Sequence, residues 1–353
     1  MTITVRDIAE RACVSTSTVS RVLNNYPFVS ESTREVVLRA ARELDYHLDN
    51  LRKPTQATKT LTIVLITKQA DALQTAEGAR NNTDYELIQG AMGVLSQQGC
   101  ATHIYHTDME PEKALKYCQS LHADGVMLLG GLYTREYVRG LQEGGLRLVM
   151  AGSHALPLHI NCVLADIPHA MEAILAHLVQ LGRRTIGLVN GPGTTRTSEE
   201  KYKGLRLGLT LHDLPFSPQQ VLSGDFTSAA GYALTTQMCT RVPALDALIY
   251  GDDQMAMGGL RALRELGKQV PGDIAVIGFH DYEIARFTDP PLTSVRFDIP
   301  AMGASAAHRL LSLVQQPVLL DPWMVLMPTE LILRGSSLAG EQAERVFHIS
   351  ETS

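Results

Sequence analysis

Short apolar runs alternate with amphipathic stretches along most of the chain. The runs have the continuous hydrophobicity of strands buried on both faces of a parallel sheet, and the stretches between them have helical spacing. The predicted strands form two consecutive series, which implies two doubly wound lobes with a cleft between them. The first series comprises 61–66, 103–107, 125–130 and 147–152, and the second comprises 162–166, 185–190, 246–251 and 274–279.

Amphipathic helices are predicted between these strands and after them. A strand over 294–298, a helix near 300–315 and one long strand over 325–334 then return along the chain and complete the lobes. The tail after Gly335 is polar and contains no leucine heptads. The helices between the strands are predicted near 85–98, 111–122, 134–144, 168–181, 197–212, 228–241 and 254–267.

The first fifty residues have a different pattern, which predicts three short helices over 6–12, 15–24 and 30–46. Ser15 is a suitable N-cap for the second of them. The polar segment 47–60 contains Pro54 and reads as a linker. A miniature core is expected from the apolar residues of the first two helices, namely Ile8, Ala12, Val14, Val19 and Val22.

The second of these helices is rich in residues that disfavour helices. Its sequence, VSTSTVSRVLN, has five Ser or Thr among its first seven residues, and their hydroxyls compete with the backbone for hydrogen bonds. Thr16, Ser17, Ser20 and Arg21 fall on the face opposite the apolar residues. Short polar side chains with one guanidinium suit a helix that presses into the major groove of DNA. The alternative is an ordinary solvated helix in a bundle.

Charge supports the DNA interpretation only weakly. The whole chain of 353 residues has a net charge of −6, but residues 1–60 hold nine Lys or Arg against seven Asp or Glu. A small basic end on an acidic body suggests that only the N-terminal part meets an anion.

Several classes of protein are disfavoured by what the sequence lacks. There is no apolar run of membrane-spanning length and no signal-peptide pattern at the N-terminus, so we expect a cytoplasmic protein with no membrane partner. The five cysteines are scattered without metal-binding spacing, and we expect free thiols, no metal and no cofactor. The loop GPGTTRTS (191–198) lacks the third Gly of a dinucleotide motif and the Lys-Ser/Thr of a P-loop, so an enzyme is the disfavoured alternative.

The N-terminal sequence resembles the headpiece of the lactose-repressor/galactose-repressor family of bacterial transcription factors. The matching text includes DIA, TVSRVLN, VS, TR and a final ELDY within residues 4–46. The resemblance extends over about 3–337 through HLVQLGRRTIGLVNGP (177–192), DDQMAMGGLRALRELGKQVPGDIAVIGF (252–279) and DPPLTSVRFD (289–298).

The resemblance implies a small all-α helix-turn-helix headpiece and an α/β periplasmic-binding-protein-like body of two doubly wound parallel-sheet lobes. We expect the headpiece over 1–48, a hinge over 49–60, a ligand-binding and dimerisation domain over 61–337, and a polar tail over 338–353. The expected contacts with double-stranded operator DNA are Ser15, Thr16, Ser17, Thr18, Ser20, Arg21, Asn24, Ser30 and Thr33, with Leu51, Arg52 and Lys53 in the hinge.

Two positions depart from the family pattern. Cys13 stands where the family usually has Gly at the turn between the first two helices, and a positive φ there would cost on the order of 1 kcal/mol. In the hinge, Pro54 or Thr55 occupies the place of the leucine that the family wedges into the minor groove. Pro is tolerated only in a first helical turn, so a hinge helix is the least secure inference from the resemblance.

The family binds its effector between the lobes, and the resemblance implies which side chains do so here. Carboxylates, amides and one aromatic ring suit a polyhydroxylated ligand of little charge, and the loop layout is most similar to the galactose and β-galactoside branch. The polar segment 68–82 reads as a flap over the cleft. The expected ligand contacts are Asn82, Asp84, Tyr85, Lys201, Phe226, Asp252, Asp253, His280 and Asp281.

The sequence therefore predicts a homodimeric repressor of a sugar-utilisation operon whose operator affinity is set allosterically by galactose or a galactoside. A purine or another metabolite as the effector is the alternative within the same class. Two roles are open for His280: it contacts the ligand, which would make effector affinity depend on pH, or it only bonds a carbonyl at the end of a strand. The sequence does not distinguish induction from corepression, and induction is the commoner behaviour of the resembled family with sugars.

Overall fold

The computed structural model describes residues 4–23, 29–44, 46, 60–68, 82–130, 133–155, 157–316, 321–338 and 344–348. The chain consists of two compact units, Met1–Thr60 and Leu61–Ser353. We call the first unit the headpiece and the second the body.

Three helices make up the headpiece: α1 (Val5–Ala12), α2 (Thr16–Leu23) and α3 (Glu31–Glu43). They enclose a small core in which Ile8, Val19 and Val37 are fully buried, and Ala12, Val22 and Val14 pack there as the pattern predicted. Cys13 adopts φ +54° between α1 and α2, so the turn does place a non-glycine residue in the left-handed region. The third helix ends at Glu43 rather than at Tyr46.

Two parallel sheets form the two lobes of the body. The first sheet has the order β11-β5-β4-β3-β1-β2, and the second has the order β13-β12-β10-β9-β8-β6-β7. Its pairs are parallel except those of β12 with β10 and β13. The strands are β1 (Thr62–Lys68), β2 (Ala101–Thr107), β3 (Gly125–Leu129), β4 (Leu148–Ala151), β5 (Asn161–Ala165), β6 (Ile186–Asn190), β7 (Val221–Ser223), β8 (Ala247–Tyr250), β9 (Ala275–Phe279), β10 (Thr293–Arg296), β11 (Met324–Met327), β12 (Glu330–Leu333) and β13 (Arg345–Phe347).

Helices cover both faces of each sheet, which explains why the central strands are buried throughout. In the second lobe, α7 packs on α8 and α9 packs on α10, while α11 returns to the first lobe and packs on α4. The helices are α4 (Asn82–Gln97), α5 (Pro111–Ser120), α6 (Arg135–Glu143), α7 (Ile167–Gln180), α8 (Arg196–Leu211), α9 (Ser228–Arg241), α10 (Asp253–Glu265) and α11 (Ile299–Gln315).

The strands of the structure correct the sequence prediction in four places. β5 was assigned to the second series but lies in the first sheet, between β4 and β11. The long strand expected over 325–334 is two strands in different sheets, separated at Pro328 and Thr329. Short β7 was not predicted, and the polar tail contributes β13, whose Phe347 is buried in the core.

Candidate functional site

The headpiece presents a polar face on α2. Thr16, Ser17 and Ser20 are all exposed there, while Val19 and Val22 on the other side are buried. The helix is therefore anchored by its apolar side and offers short hydroxyl side chains to the outside. Arg21 belongs to α2 but its side chain lies outside the described part of the chain, as do the whole of Asn24 and the hinge residues Leu51, Arg52 and Lys53.

Two of the expected DNA contacts, Ser15 and Ser30, cap helices. Ser15 Oγ accepts a hydrogen bond from Thr18 N at 3.1 Å and lies 2.8 Å from Thr18 Oγ1, so Ser15 caps α2. Ser30 caps α3 in the same way, with Thr33 N at 3.3 Å and Thr33 Oγ1 at 2.7 Å. These hydroxyls hold the first turns of both helices in place.

In the body, an enclosed cavity of about 50 Å³ lies where the carboxyl ends of strands from both sheets face each other. We call it the inner cavity. Gly152 follows β4, and Ala165 ends β5 in the first lobe. His280 follows β9, and Phe297 follows β10 in the second lobe. This is the place where open α/β sheets bind ligands. The remaining lining residues are Thr83, Leu87, Ile167, Arg196, Thr197, Lys201, Ile299 and Met302.

A wider, open cleft of about 660 Å³ adjoins the inner cavity and shares His280 and Phe297 with it. We call it the outer cleft. The two lobes approach each other beside it, where Thr83 Oγ1 lies 3.4 Å from Tyr282 Oη. Its other lining residues are Glu86, Asp281, Tyr282, Glu283, Arg296, Asp298, Pro328 and Glu330.

Lys201 lies on the wall of the inner cavity, as expected of a ligand contact. Its side chain is 1% exposed, Nζ donates to Gly251 O at 2.7 Å, and Nζ lies 4.3 Å from the centre of the Phe279 ring. Burial lowers the pKa of Lys201 to about 8. The ammonium group thus has one hydrogen-bond acceptor and a nearby aromatic face.

His280 faces both the inner cavity and the outer cleft. Its Nδ1 lies 2.8 Å from Phe279 O and 3.2 Å from Asp252 Oδ2, and its ring stacks on Tyr282 with centroids 5.0 Å apart. The strand-end bond is therefore present while the ring still lines the cavity. Asp252 caps α10 through Gln254 N at 2.7 Å and orients the imidazole.

Two of the expected ligand contacts make bonds that hold the second lobe together. Asp253 is fully buried, with Ser294 Oγ donating at 2.6 Å and Tyr282 N at 2.9 Å, because the first turn of α10 directs it back onto the sheet. Burial holds the pKa of Asp253 well above its usual range. Asp281 pairs with Arg334 Nη1 and Arg296 Nη2, each at 2.6 Å, and only 2% of its side chain is exposed. Asp281 nevertheless lines the outer cleft, whereas Asp253 lines neither cavity, and both ligand contacts stay predictions.

Three of the other expected contacts, Asp84, Tyr85 and Phe226, line neither cavity. Asp84 is in the first turn of α4, which begins three residues earlier than predicted, and its carboxylate lies against Gly130 at the end of β3. Burial raises the pKa of Asp84 to about 6. Tyr85 is 66% exposed, and the Phe226 ring packs over Gly191. The side chain of Asn82 and the flap residues 69–81 lie outside the described part.

Sequence reasoning missed several residues of the cleft. Arg196 and Thr197 open α8 directly after the loop 191–195 and line the inner cavity. That loop had been considered only as a phosphate-binding motif, although its position between a strand and a helix was sufficient to indicate a ligand site. Thr83, Tyr282, Arg296 and Phe297 gave no comparable signal, because single polar or aromatic residues outside a motif carry little information.

The described residues include neither a metal-binding cluster nor a membrane-spanning helix. No cluster of three or more His, Cys, Asp or Glu in the described part of the chain could hold a metal ion. None of the described helices is long and apolar enough to cross a membrane.

Known proteins resemble the chain over both of its units. Residues 4–49 match the family of bacterial regulatory proteins called the lacI family, and residues 175–337 match a periplasmic binding protein-like domain. The regulator MalR of Streptomyces coelicolor is 33% identical over 353 residues, which cover 96% of this chain and 97% of that protein. The chain belongs to the lacI family of bacterial regulatory proteins. It is therefore a DNA-binding transcriptional regulator and not an enzyme.

Other members of the family are similar at lower identity. The repressor PurR of Actinobacillus pleuropneumoniae is 26% identical over 94% of this chain and 98% of its own length. A complex of the regulator CelR with cellobiose has a TM-score of 0.70 and 28% identity, covering 95% of this chain and 99% of that chain. The lac repressor dimer bound to operator and an anti-inducer has a TM-score of 0.69 and 25% identity, and the match covers 96% of this chain and 100% of that chain.

Proposed function

We propose that this lacI-family member is a homodimeric repressor whose α2 helices read an operator through the major groove. The observation that carries the DNA part is the face formed by Thr16, Ser17 and Ser20 on a helix fixed by its cap and by a buried apolar side. Hydroxyls of this length meet base edges or phosphates only at close approach, which a recognition helix provides. The lac repressor dimer bound to operator supports the dimer.

We further propose that a sugar bound between the lobes controls operator affinity. The inner cavity and outer cleft together combine hydroxyl, carboxylate and basic side chains with the aromatic rings of Phe297 and Tyr282. Such a set suits the hydroxyls and the apolar face of a sugar. The CelR–cellobiose complex supports a sugar, and galactose or a galactoside is our first candidate. Relatives named PurR make purines the alternative to be tested alongside.

The test is a fluorescence-anisotropy titration of the full-length protein with a labelled palindromic fragment from its own upstream region. We expect tight binding that resists competitor DNA and weakens when the effective sugar is added. Replacement Thr16→Ala should weaken specific binding at least about fivefold, because a contact to a base edge contributes about 1–3 kcal/mol.

A matched control separates this effect from a general one. Thr240 is an exposed threonine on α9 of the body whose hydroxyl bonds only Thr236 O in its own helix. Thr240→Ala should leave operator affinity unchanged. Equal operator affinities of Thr16→Ala and the unmodified protein would exclude the proposed DNA-binding face. Operator binding that no sugar changes but that a purine weakens would favour the alternative effector.

A further inference from the structure

The inner cavity and the outer cleft differ in charge. The ionisable residues that line the inner cavity are Arg196, Lys201 and His280, and no Asp or Glu lines it among the described residues. The outer cleft has the opposite character. Its described lining includes the carboxyl side chains Glu86, Asp281, Glu283, Asp298 and Glu330. A ligand that spans both therefore meets cationic donors at its inner end and hydrogen-bond acceptors at its outer end.

Arg196 carries an unused donor at the inner end. Its side chain is 9% exposed, one guanidinium nitrogen (Nη2) pairs with Glu200 Oε1 at 2.5 Å, and Nε has no hydrogen-bond partner. A buried donor without an acceptor is destabilising by about 1–3 kcal/mol. Arg196 lines the inner cavity, so a ligand oxygen placed there lies beside an incompletely paired guanidinium.

Lys201 has similar unused capacity. Its ammonium has three N–H donors, and the hydrogen bond to Gly251 O uses one of them. The two nearest carboxyl groups compensate its charge only in part. Asp252 lies against His280, and the two carboxylate oxygens of Asp253 accept hydrogen bonds from Ser294 Oγ and Tyr282 N. An anionic group beside Lys201 would supply the missing countercharge.

Size restricts which anion fits. The inner cavity of about 50 Å³ is below the roughly 300–1,000 Å³ usual for a whole small-molecule ligand, and a water occupies about 30 Å³. A planar carboxylate with two oxygens is comparable with one or two waters, whereas a tetrahedral phosphate is larger. The outer cleft, at about 660 Å³, has room for the polyol part of the same ligand.

We propose that the effector is a sugar acid whose carboxylate enters the inner cavity between Lys201 and Arg196 while its hydroxyls donate to the carboxylates of the outer cleft. The inference rests on the proposed sugar effector and names its chemical class. Thr197, which opens α8 beside Arg196, adds a hydroxyl donor to the same anion. A sugar acid carries a negative charge, whereas the sequence alone suggested a ligand of little charge.

Isothermal titration of the full-length protein with D-galacturonate and D-galactonate, each compared with D-galactose and D-galactose 6-phosphate, tests the proposal. We expect at least one acid to bind about tenfold or more tightly than galactose, the usual contribution of a charge-assisted hydrogen bond. Lys201→Met should abolish this preference. Lys203→Met is the matched control, because Lys203 is two residues further along α8, 68% exposed and paired with Glu199, and it should retain the preference.

The outcomes separate this inference from the proposed function. Galactose or its phosphate binding as tightly as both acids would overturn the sugar-acid assignment while leaving a sugar effector in place. Absence of binding by all four compounds, with specific operator binding intact, would overturn both. If Lys201→Met does not fold, Arg196→Gln provides the same test, and a preference for the acid that survives Arg196→Gln undiminished would contradict the proposal.

Discussion

Replacing Asp281 by Asn tests whether the ion-pair network beside the cleft stabilises the second lobe. The carboxylate of Asp281 is 2% exposed and contacts Arg334 and Arg296, each at 2.6 Å, and the Arg334 side chain is only 4% exposed. Asn has nearly the same shape and tolerates the left-handed backbone at this position, where φ is +51°. The substitution therefore removes charge with little backbone effect.

The expected magnitude follows from what is left behind. Arg334 would keep Glu344 at 2.9 Å and the carbonyl of Leu292 at 2.8 Å, but it would lose its most buried counter-ion. Removing one partner of a buried pair costs about 3–5 kcal/mol. Glu330 provides the control: it lies 3.9 Å from Arg296 and is 53% exposed, so Glu330→Gln should cost less than about 1 kcal/mol.

The assay is urea unfolding of both variants followed by far-ultraviolet circular dichroism at low and high salt. We expect a lower free energy of unfolding for Asp281→Asn than for the unmodified protein. Added salt should change this difference little, because the ion pair is shielded from solvent. Equal midpoints for Asp281→Asn and Glu330→Gln would refute the reasoning, since it attributes the difference between these two carboxylates to the burial and close pairing of Asp281.

Two further predictions concern stability. Cys13→Gly should stabilise the headpiece by up to about 1 kcal/mol, because Cys13 has φ +54° and glycine adopts that conformation without strain. Hydrogen exchange of the α1 amides measures this stability, and protection that stays the same or falls would contradict the prediction. Asp213→Gly is the control, because Asp213 also has φ +54° but lies in the body, and it should leave the protection of α1 unchanged. Burial lowers the pKa of His177 to about 4. Between about pH 6.5 and 4 the unfolded chain therefore takes up a proton at this histidine that the folded chain does not. The free energy of unfolding should fall by up to about 3 kcal/mol as the pH drops through that range. His177→Gln should show a correspondingly shallower decline in urea titrations, and parallel pH profiles would exclude that origin.

Local patterns predicted the elements of the body but not how the chain distributes them between lobes. Helix α9 was predicted with the bounds that the structure shows, because a clear N-cap and an abrupt polar end define it. Strand β5 is apolar on both faces, and such a strand fits either parallel sheet equally well. The break at Pro328 was missed because both flanking segments are apolar, and which sheet each joins depends on contacts distant in sequence.

The candidate site was predictable where the family resemblance supplied the position of a ligand contact. Lys201 and His280 were expected at the cleft and line it. Asp253 and Asp281 were expected there too, but acidic residues beside a cleft can equally bind Ser294 or Arg334 within the protein. Sequence does not distinguish these partners, since the choice depends on the direction of a first helical turn or a positive φ.

The most direct test of the central claim measures linkage between the two units. Operator affinity is measured with and without a saturating effector, starting with D-galactose and D-galacturonate, and effector affinity is measured with and without operator. If a ligand between the lobes controls the headpiece, the two affinities must change by the same factor. We predict a matched change of about fivefold or more. A ligand that binds the body while operator affinity stays the same would contradict the account.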